Sequence, residues 1–499
     1  MNAPKFRAPF TRALLATSIG IFLSGCAGTG EQTAPELADS QASAKNVILF
    51  IGDGMGVSTV TAARIFDGQS RGESCEENVL SFERFPRTAL VKTYNSNQQV
   101  PDSAGTATAM HSGVKTRAGV IAVAPETHRR NCAEEQRWPL ETMGELAKNQ
   151  GKALGIVTTA RITHATPATV YAHSSERDWE SNAFLTDEQI AQGCGDIARQ
   201  LLEFDVGGGF DIALGGGARA FYGSEFGGRR KASDENLVVE WQAADTNHRF
   251  VSTRDELAGI ARGEQVLGIF SRSHMTYMAE RGFDSEEPTL SEMTAAAIDH
   301  LDGSEGYYLM IEGGRIDHGH HDGKPGYALL ETQEFADAVS VALGKVDLDE
   351  TLVLVTADHS HVFTLAGYPT RGNPILGLVV ANDLSGEPRD QPKLAGDGKP
   401  YTSVGYANGP GAIVNRPRPT PETGIGAVAQ SLVSPVGVSI EGYEYDDETH
   451  GGEDVPLYAI GNGSQCVAGV LEQNLVFDIM TGAFGWSGDY CEKVPADYR

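Results

Sequence analysis

The 499-residue chain is short of positive charge: 39 Lys and Arg stand against 67 Asp and Glu, for a net charge of −28. Three of those basic residues, Lys5, Arg7 and Arg12, fall in the first 25 residues, which hold no acid, so the remainder carries −31. Nucleic-acid binding needs a basic footprint and is excluded. The deficit also means that a site for an anionic small molecule must carry its own local positive charge. Long apolar runs are missing as well. Beyond the N-terminus no uninterrupted run is long enough to cross a bilayer. Internal repeats are absent, so a repeat array is excluded.

The one export-like feature is the start, "MNAPKFRAPFTRALLATSIGIFLSGC". Its basic residues precede a short apolar stretch, Ala13 to Leu23, as in a signal segment. "LSGC" resembles a bacterial lipoprotein cleavage site, so residues 1–25 read as a lipoprotein signal peptide and Cys26 as the acylated first residue. Residues 26–44 are small and polar without apolar period and read as a flexible tether, reaching roughly 20–25 Å. The expected location is outside the cytoplasm, in the periplasm or on the outer membrane, with a lipid anchor as the only membrane attachment. Cysteine is scarce: besides Cys26 there are Cys75, Cys132, Cys194, Cys466 and Cys491. Five is odd, so in an oxidising compartment at least one thiol is free or bonds another chain.

Short apolar runs at 46–52, 153–159, 211–217, 266–270, 307–314 and 351–358 read as buried strands. Helical periods lie between them, clearest at 138–149, 186–204, 289–302 and 325–346. This alternation predicts an α/β fold, a central mostly parallel sheet sandwiched by helices, with ligands held at the C-terminal strand ends. Residues 365–440, rich in Gly and Pro, read as an insertion over one face.

The strand ends carry the chemistry. "FIGDGMG" puts Asp53 in a glycine turn; "IEGGRIDHGHH" puts Glu312, Asp317, His318, His320 and His321 past another strand. "VTADHSH" adds Asp358, His359 and His361, and "DETHGGED" puts His450 before the apolar run at 455–460. A lone Asp or His at a strand end is ordinarily a cap. Four such clusters on one edge point instead to several metal ions, since carboxylate with imidazole suits zinc and carboxylate with hydroxyl suits magnesium. In "PDSAGTATAM", Ser103 stands where a helix would start, where a cap is the plain reading. Its own segment holds no evident histidine base, but a metal can stabilise its alkoxide, which makes Ser103 a candidate nucleophile for phosphoryl transfer.

Taken in order, "NVILFIGDGMG", "YNSNQQVPDSAGTATA", "THATPATVYAHSSERDW", "EGGRIDHGHHDG", "TADHSHVFTLAGYPTRGNP" and "ETHGGEDVPLYA" resemble the alkaline phosphatases, and of these the animal-type branch. The resemblance runs from about Lys45 to about Trp486 and makes 45–499 one catalytic domain, with 365–440 as its crown-like insertion. It implies hydrolysis of phosphate monoesters through a covalent phosphoserine at Ser103, releasing inorganic phosphate. It implies one zinc held by Asp317, His321 and His450, and a second held by Asp53, Asp358 and His359. It implies one magnesium held by Asp53, Thr166 and Glu312. Arg177 would grip the phosphate, aimed by Asp102. His164 and His318 fall at two positions behind the ligands that vary within the family, and the histidine pair is animal-like. His320 and His361 match no ligand position. The resemblance further implies a disulfide between Cys132 and Cys194, and a homodimer in which Tyr368 reaches into the neighbouring subunit's site. Ser271 stands where animal-type members carry a calcium-binding Glu, which argues against a calcium site. The rival readings are a phosphodiesterase or sulfatase of the same superfamily, and a non-catalytic metal-binding surface lipoprotein.

Overall fold

A computed structural model describes residues 43–72, 76–409, 447–465 and 467–487. Residues 1–42, which hold the signal segment, Cys26 and most of the tether, lie outside this range, as do Cys75, Cys466, Cys491 and the last part of the 365–440 insertion. The tether ends sooner than its reading as 26–44: Ala44 is buried, and its N–H donates to the Ala483 carbonyl at 2.7 Å. The strands are, in chain order, β1 (Asn46–Gly52), β2 (Arg87–Lys92), β3 (Ala153–Arg161), β4 (Ile212–Gly216), β5 (His248–Val251), β6 (Gln265–Ile269), β7 (Tyr307–Gly313) and β8 (Thr351–Ala357). There follow β9 (Ser360–His361), β10 (Phe363–Leu365), β11 (Val404–Tyr406), β12 (His450–Gly451), β13 (Val455–Gly461) and β14 (Gly469–Glu472). Ten of them form one sheet in the order β14-β2-β13-β8-β1-β7-β3-β4-β6-β5.

The expected parallel sheet is present. All of its pairings are parallel except those of β13, which runs antiparallel to both β2 and β8. β7 and β8 are buried along their whole length, and β1 all but so, which explains their uninterrupted apolar sequences: both faces of such a sheet are covered. One group of helices, Val57–Ser70, Leu290–Leu301 and Pro325–Leu343, packs together on one side. Another, Ser103–Ser112, Met143–Asn149, Ala165–Ala168 and Leu475–Ala483, packs on the other. Phe335 meets Phe50 edge-on, ring centres 5.8 Å apart, and Phe82 at 6.1 Å. Full burial of such a ring contributes about 1.5–3 kcal/mol.

All six apolar runs match strands to within two residues at either end, and the helices at 289–302 and 325–346 stand at Leu290–Leu301 and Pro325–Leu343. Two helical readings differ. The period at 138–149 is cut short: one helix ends at Arg137, Pro139 pairs with Val123, and the next helix starts at Met143, behind the Thr142/Glu145 capping box. The period at 186–204 is broken into Asp187–Ala191 and Ile197–Glu203, because Gly193 takes a left-handed turn at φ 89°. The described part of the insertion holds the β10–β11 pair and isolated bridges at Leu378–Thr402, Asn382–Pro388 and Leu394–Pro400. No helix among the described residues is long and apolar enough to cross a membrane.

The sheet positions the site. β1, β7 and β8 lie side by side in register, so Gly52 stands level with Gly313 and Ala357, and the residues just beyond them emerge together. β13 runs the other way, so its start faces the same edge. That is why His450 precedes its strand while Asp53 and Asp358 follow theirs.

Candidate active site

Asp53 leaves β1 in a tight turn. Gly54 has φ 68°, and a Cβ there would sit 2.4 Å from the His361 ring, so only glycine fits. Both Asp53 carboxylate oxygens are buried without a hydrogen-bond partner. Beside it on β7, Glu312 accepts from the Thr158 hydroxyl with one oxygen and leaves the other unpartnered; the buried Thr166 hydroxyl is also unpartnered. Asp358 accepts from the backbone N–H of Gly54 at 3.0 Å and of His359 at 2.9 Å. The His359 Nδ1 donates to the Ser360 carbonyl, which turns Nε2 towards Asp53 Oδ1 at 3.4 Å, Asp358 Oδ2 at 3.3 Å and the Ser103 hydroxyl at 3.1 Å.

Ser103 is the first residue of its helix and not the cap. The cap is Asp102, whose carboxylate accepts from Gly105 N at 3.1 Å. That leaves the Ser103 hydroxyl free to face the carboxylates, at a helix N-terminus that favours negative charge. Asp102 also accepts from Asn95 at 2.9 Å, from Gly119 N at 2.9 Å and from Arg177 Nη1 at 3.0 Å. Burial opposes its charge, but Arg177 and the backbone donor hold the carboxyl below its usual range.

A second cluster forms beyond β7. Asp317 and His321 lie one turn apart on the helix Arg315–His321, with Nε2 3.2 Å from Oδ1. His450 brings its Nε2 within 3.5 Å of the same oxygen and 3.1 Å of His321 Nε2. The Nδ1 atoms of both rings donate to carbonyls, His321 to Glu448 at 2.6 Å and His450 to Pro101 at 2.7 Å. Two lone pairs then face each other across 3.1 Å, an arrangement that a bound cation or a shared proton satisfies.

The electrostatics agree. Burial, followed by Asp317, Asp358 and Glu312, pushes the Asp53 carboxyl well above its usual range. Burial pushes Glu312 up to about 7 and raises Asp358 as well. Too many carboxylates share too few protons, as expected of a cation-binding centre. The orphaned oxygens of Asp53 and Glu312 converge, and among the described residues four groups fit an ion: Asp53 with Asp358 and His359, Asp53 with Glu312 and His164, Asp317 with His359, His361 and His450, and His321 with His361 and Glu448.

The structure also settles residues that motif reading leaves aside. His361 donates from Nε2 to Asp317 at 2.8 Å and from Nδ1 to Glu448. Burial works against its charge, but Glu448 and Asp317 lift it to about 10. His320 is a buried bridge between Thr59 at 2.9 Å and Tyr406 at 2.8 Å. His164 brings Nε2 to 3.3 Å from Arg177 Nη2, and its ring lies 5.6 Å from that of His318. His274, which the motifs do not single out, joins them with its ring 3.9 Å from His318. Its signal was available: it follows β6 just as Asp53 follows β1. Cys132 and Cys194 are bonded, with Cα atoms 5.4 Å apart. Next to this bond Glu135 accepts from the N–H and hydroxyl of Ser175, two residues before Arg177. A cleft of about 570 Å³ opens over the site, lined by Asp102, Arg129, Arg177, His321 and His450 among others.

A sequence model of the alkaline phosphatases matches residues 44–485. The chain belongs to the alkaline phosphatase family. It is 40% identical over 476 residues to the mouse tissue-nonspecific alkaline phosphatase, covering 90% of this chain and 85% of that one. It is 40% identical over 452 residues to the alkaline phosphatase of Gadus morhua, covering 87% and 90%. Among solved structures, the alkaline phosphatase of Thermus thermophilus superposes with a TM-score of 0.63 at 24% identity, covering 90% of this chain and 92% of that one. A histidine-to-glutamate variant of the Antarctic bacterium TAB5 alkaline phosphatase, with magnesium in its M3 site, gives 0.60 at 24%, covering 89% and 99%. As an alkaline phosphatase the protein is a metal-binding hydrolase of phosphate monoesters.

Proposed function

We propose that this alkaline phosphatase works through a covalent phosphoserine at Ser103. The observation that carries the reading is the placement of the Ser103 hydroxyl, 3.1 Å from His359 Nε2 in a nest of buried carboxylates, where the nitrogen and Oδ atoms leave room for a cation. Ser103 Oγ attacks phosphorus and forms the Oγ–P bond as the ester P–O bond breaks and the alcohol departs. Water then attacks the same phosphorus, breaks the Oγ–P bond and releases inorganic phosphate. Arg177, held by Asp102, grips two non-bridging oxygens through parallel N–H groups. The donor sets suit zinc at Asp317, His321 and His450, zinc at Asp53, Asp358 and His359, and magnesium at Asp53, Thr166 and Glu312; such ions would supply the positive charge that stabilises the serine alkoxide and the leaving oxygen. The magnesium in the TAB5 variant accords with the third set. Removing Ser103 tests the route: Ser103→Ala should lose p-nitrophenyl phosphate turnover steeply with near-normal zinc content. The parent, quenched in acid during turnover, should yield phosphate on Ser103 by mass spectrometry. Turnover close to the parent's in the variant would sink the covalent route.

The protein is further proposed to be exported and held by acylated Cys26 in the periplasm or on the outer membrane. Cys26→Ser should move activity out of the membrane fraction; activity that was never membrane-bound in the parent overturns this. We also propose a homodimer. Tyr368 supports it: the residue is 86% exposed and adopts φ 59°, on the insertion where a neighbouring subunit would meet it. Sedimentation of the purified protein as a monomer would rule it out.

A further inference from the structure

Next to the carboxylate clusters, the sheet edge changes sign. Arg161 ends β3, Arg219 follows β4 and Arg272 follows β6, and these are adjacent strands. Backbone bonds knit their loops together: Arg219 N donates to the Arg272 carbonyl at 3.0 Å, and Arg229 N donates to the Arg219 carbonyl at 2.8 Å. The Arg272 side chain donates to the Gly227 carbonyl at 3.0 Å, which closes the ring. The Cβ of Arg161 would touch a side chain at Gly217, two residues before Arg219.

One carboxylate serves this group. Glu180 takes two parallel N–H bonds from Arg161, at 2.7 and 2.6 Å, and one from the Thr163 hydroxyl at 2.6 Å. The remaining Arg161 nitrogen faces His274. Among the described residues, the guanidinium groups of Arg219 and Arg229 have neither a hydrogen bond nor an ion pair. Burial, then the charges of Arg161 and Arg229, pull Arg219 below its usual range. Among the described residues, the other buried or half-buried arginines are each held, Arg230 by Asp196 and Glu235, Arg199 by Glu235, Arg177 by Asp102, Arg315 by the face of the Tyr277 ring. Leaving Arg219 half-buried without a partner, next to the unpaired Arg229 and with an excess of acid available, runs against what solvation and net charge favour. Where calcium-binding relatives of the resemblance carry a Glu, Ser271 turns its hydroxyl to the Ser273 carbonyl at 2.7 Å, so a cation finds no carboxylate at that position.

We propose that Arg219, Arg229 and Arg272, beside the Glu180-bound Arg161, form a second anion site, outside the catalytic clusters, that takes a phosphate group. Guanidinium forks suit phosphate oxygens, and several arginines supply the charge a dianion needs. The group could belong to a soluble molecule or to a lipid headgroup, and the chemistry is shared. The test uses the metal-loaded parent protein and phenylglyoxal, which labels arginine, with adducts at Arg219 and Arg272 followed by peptide mass spectrometry. Inorganic phosphate at four times its Kd should slow both adducts about fivefold, since the free fraction falls as 1/(1 + L/Kd), with L the free phosphate concentration. Arg262, exposed and paired with Asp302, should be unaffected. A parallel arm uses vesicles containing phosphatidylglycerol. Slowing by phosphate supports a soluble ligand, and slowing by vesicles alone supports a headgroup. No slowing in either arm, or equal slowing by sodium chloride at the same ionic strength, overturns the site.

Discussion

The ends of β1, β7 and β8 hold carboxylates with too few cations, while the ends of β3, β4 and β6 hold arginines with too few carboxylates. Both groups lie on one edge of one sheet, at the ends of strands that run parallel to one another. What differs is burial and sign. Asp53, Glu312, Asp358 and His359 are fully buried, where unbalanced charge is costly and must be matched closely. Arg219 is half-buried and Arg272 exposed, where water and salt share in the balance. The scaffold therefore sets only where a ligand sits; the residues at and just beyond each strand end set whether it is a cation or an anion, and how tightly it is held.

Asp53 gives the severest test of the acidic side. Its two unpartnered oxygens serve two candidate ion groups at once. Asp53→Asn should cost more than the roughly 10–100-fold typical of a residue behind a metal ligand, with bound metal reduced; metal analysis beside a turnover assay measures both. Normal metal content and turnover would remove Asp53 from the centre.

Where the two regions meet stand His164, His318 and His274. Exchanging His164→Asp together with His318→Lys puts an anion beside Asp53 and a cation near the phosphate grip. Turnover should fall by about 10–100-fold, phosphate should inhibit more strongly, and added magnesium should activate more. Phosphate inhibition equal to the parent's would show that these positions do not sense the phosphate.

The smallest effect is on stability, and only the acidic side titrates in the relevant range. In chelated protein, burial lifts Glu312 from 4.5 to about 7. Between those values the folded state keeps a proton that the unfolded state has released, so this residue's contribution falls as pH rises through the window. Glu312→Gln should therefore gain on the parent by a few degrees in Tm, roughly in line with 2–4 °C per kcal/mol, as pH goes from 5 to 8. Buried neutral histidines slope the other way in both proteins and cancel in the difference. A constant difference in Tm across that range would contradict the assigned shift, and loading with zinc and magnesium should reverse the ranking.

The central strands and the acidic clusters were legible in the sequence because each signal is local: an apolar run followed at once by Asp, Glu or His. β5 and β14, four residues each at the sheet margins, left no such run, and β2 alternates exposed with buried positions. Glu448, Asn95 and Thr158 were not legible as site residues, since each works through a neighbour on another segment, Asn95 through Asp102, Glu448 through His361 and Thr158 through Glu312. The arginine group was hidden for the same reason. Its members come from separate segments, and an arginine's lack of a partner cannot be seen until the partners are placed.

Asn46 on β1 and Thr351 on β8 are hydrogen-bonded across 305 positions, and β13 inserts between β2 and β8 from near the end of the chain. The middle of the sheet is thus closed by its last-made parts. An N-terminal half of this protein has no central strand with both neighbours present, and loop closure over such separations slows the search for the fold. On the proposed mechanism hydrolysis needs His450 and Asp53 together, so the first molecule of substrate turned over would report that the whole chain has arrived and docked. In a chain that folds as it emerges, activity marks completion and not progress.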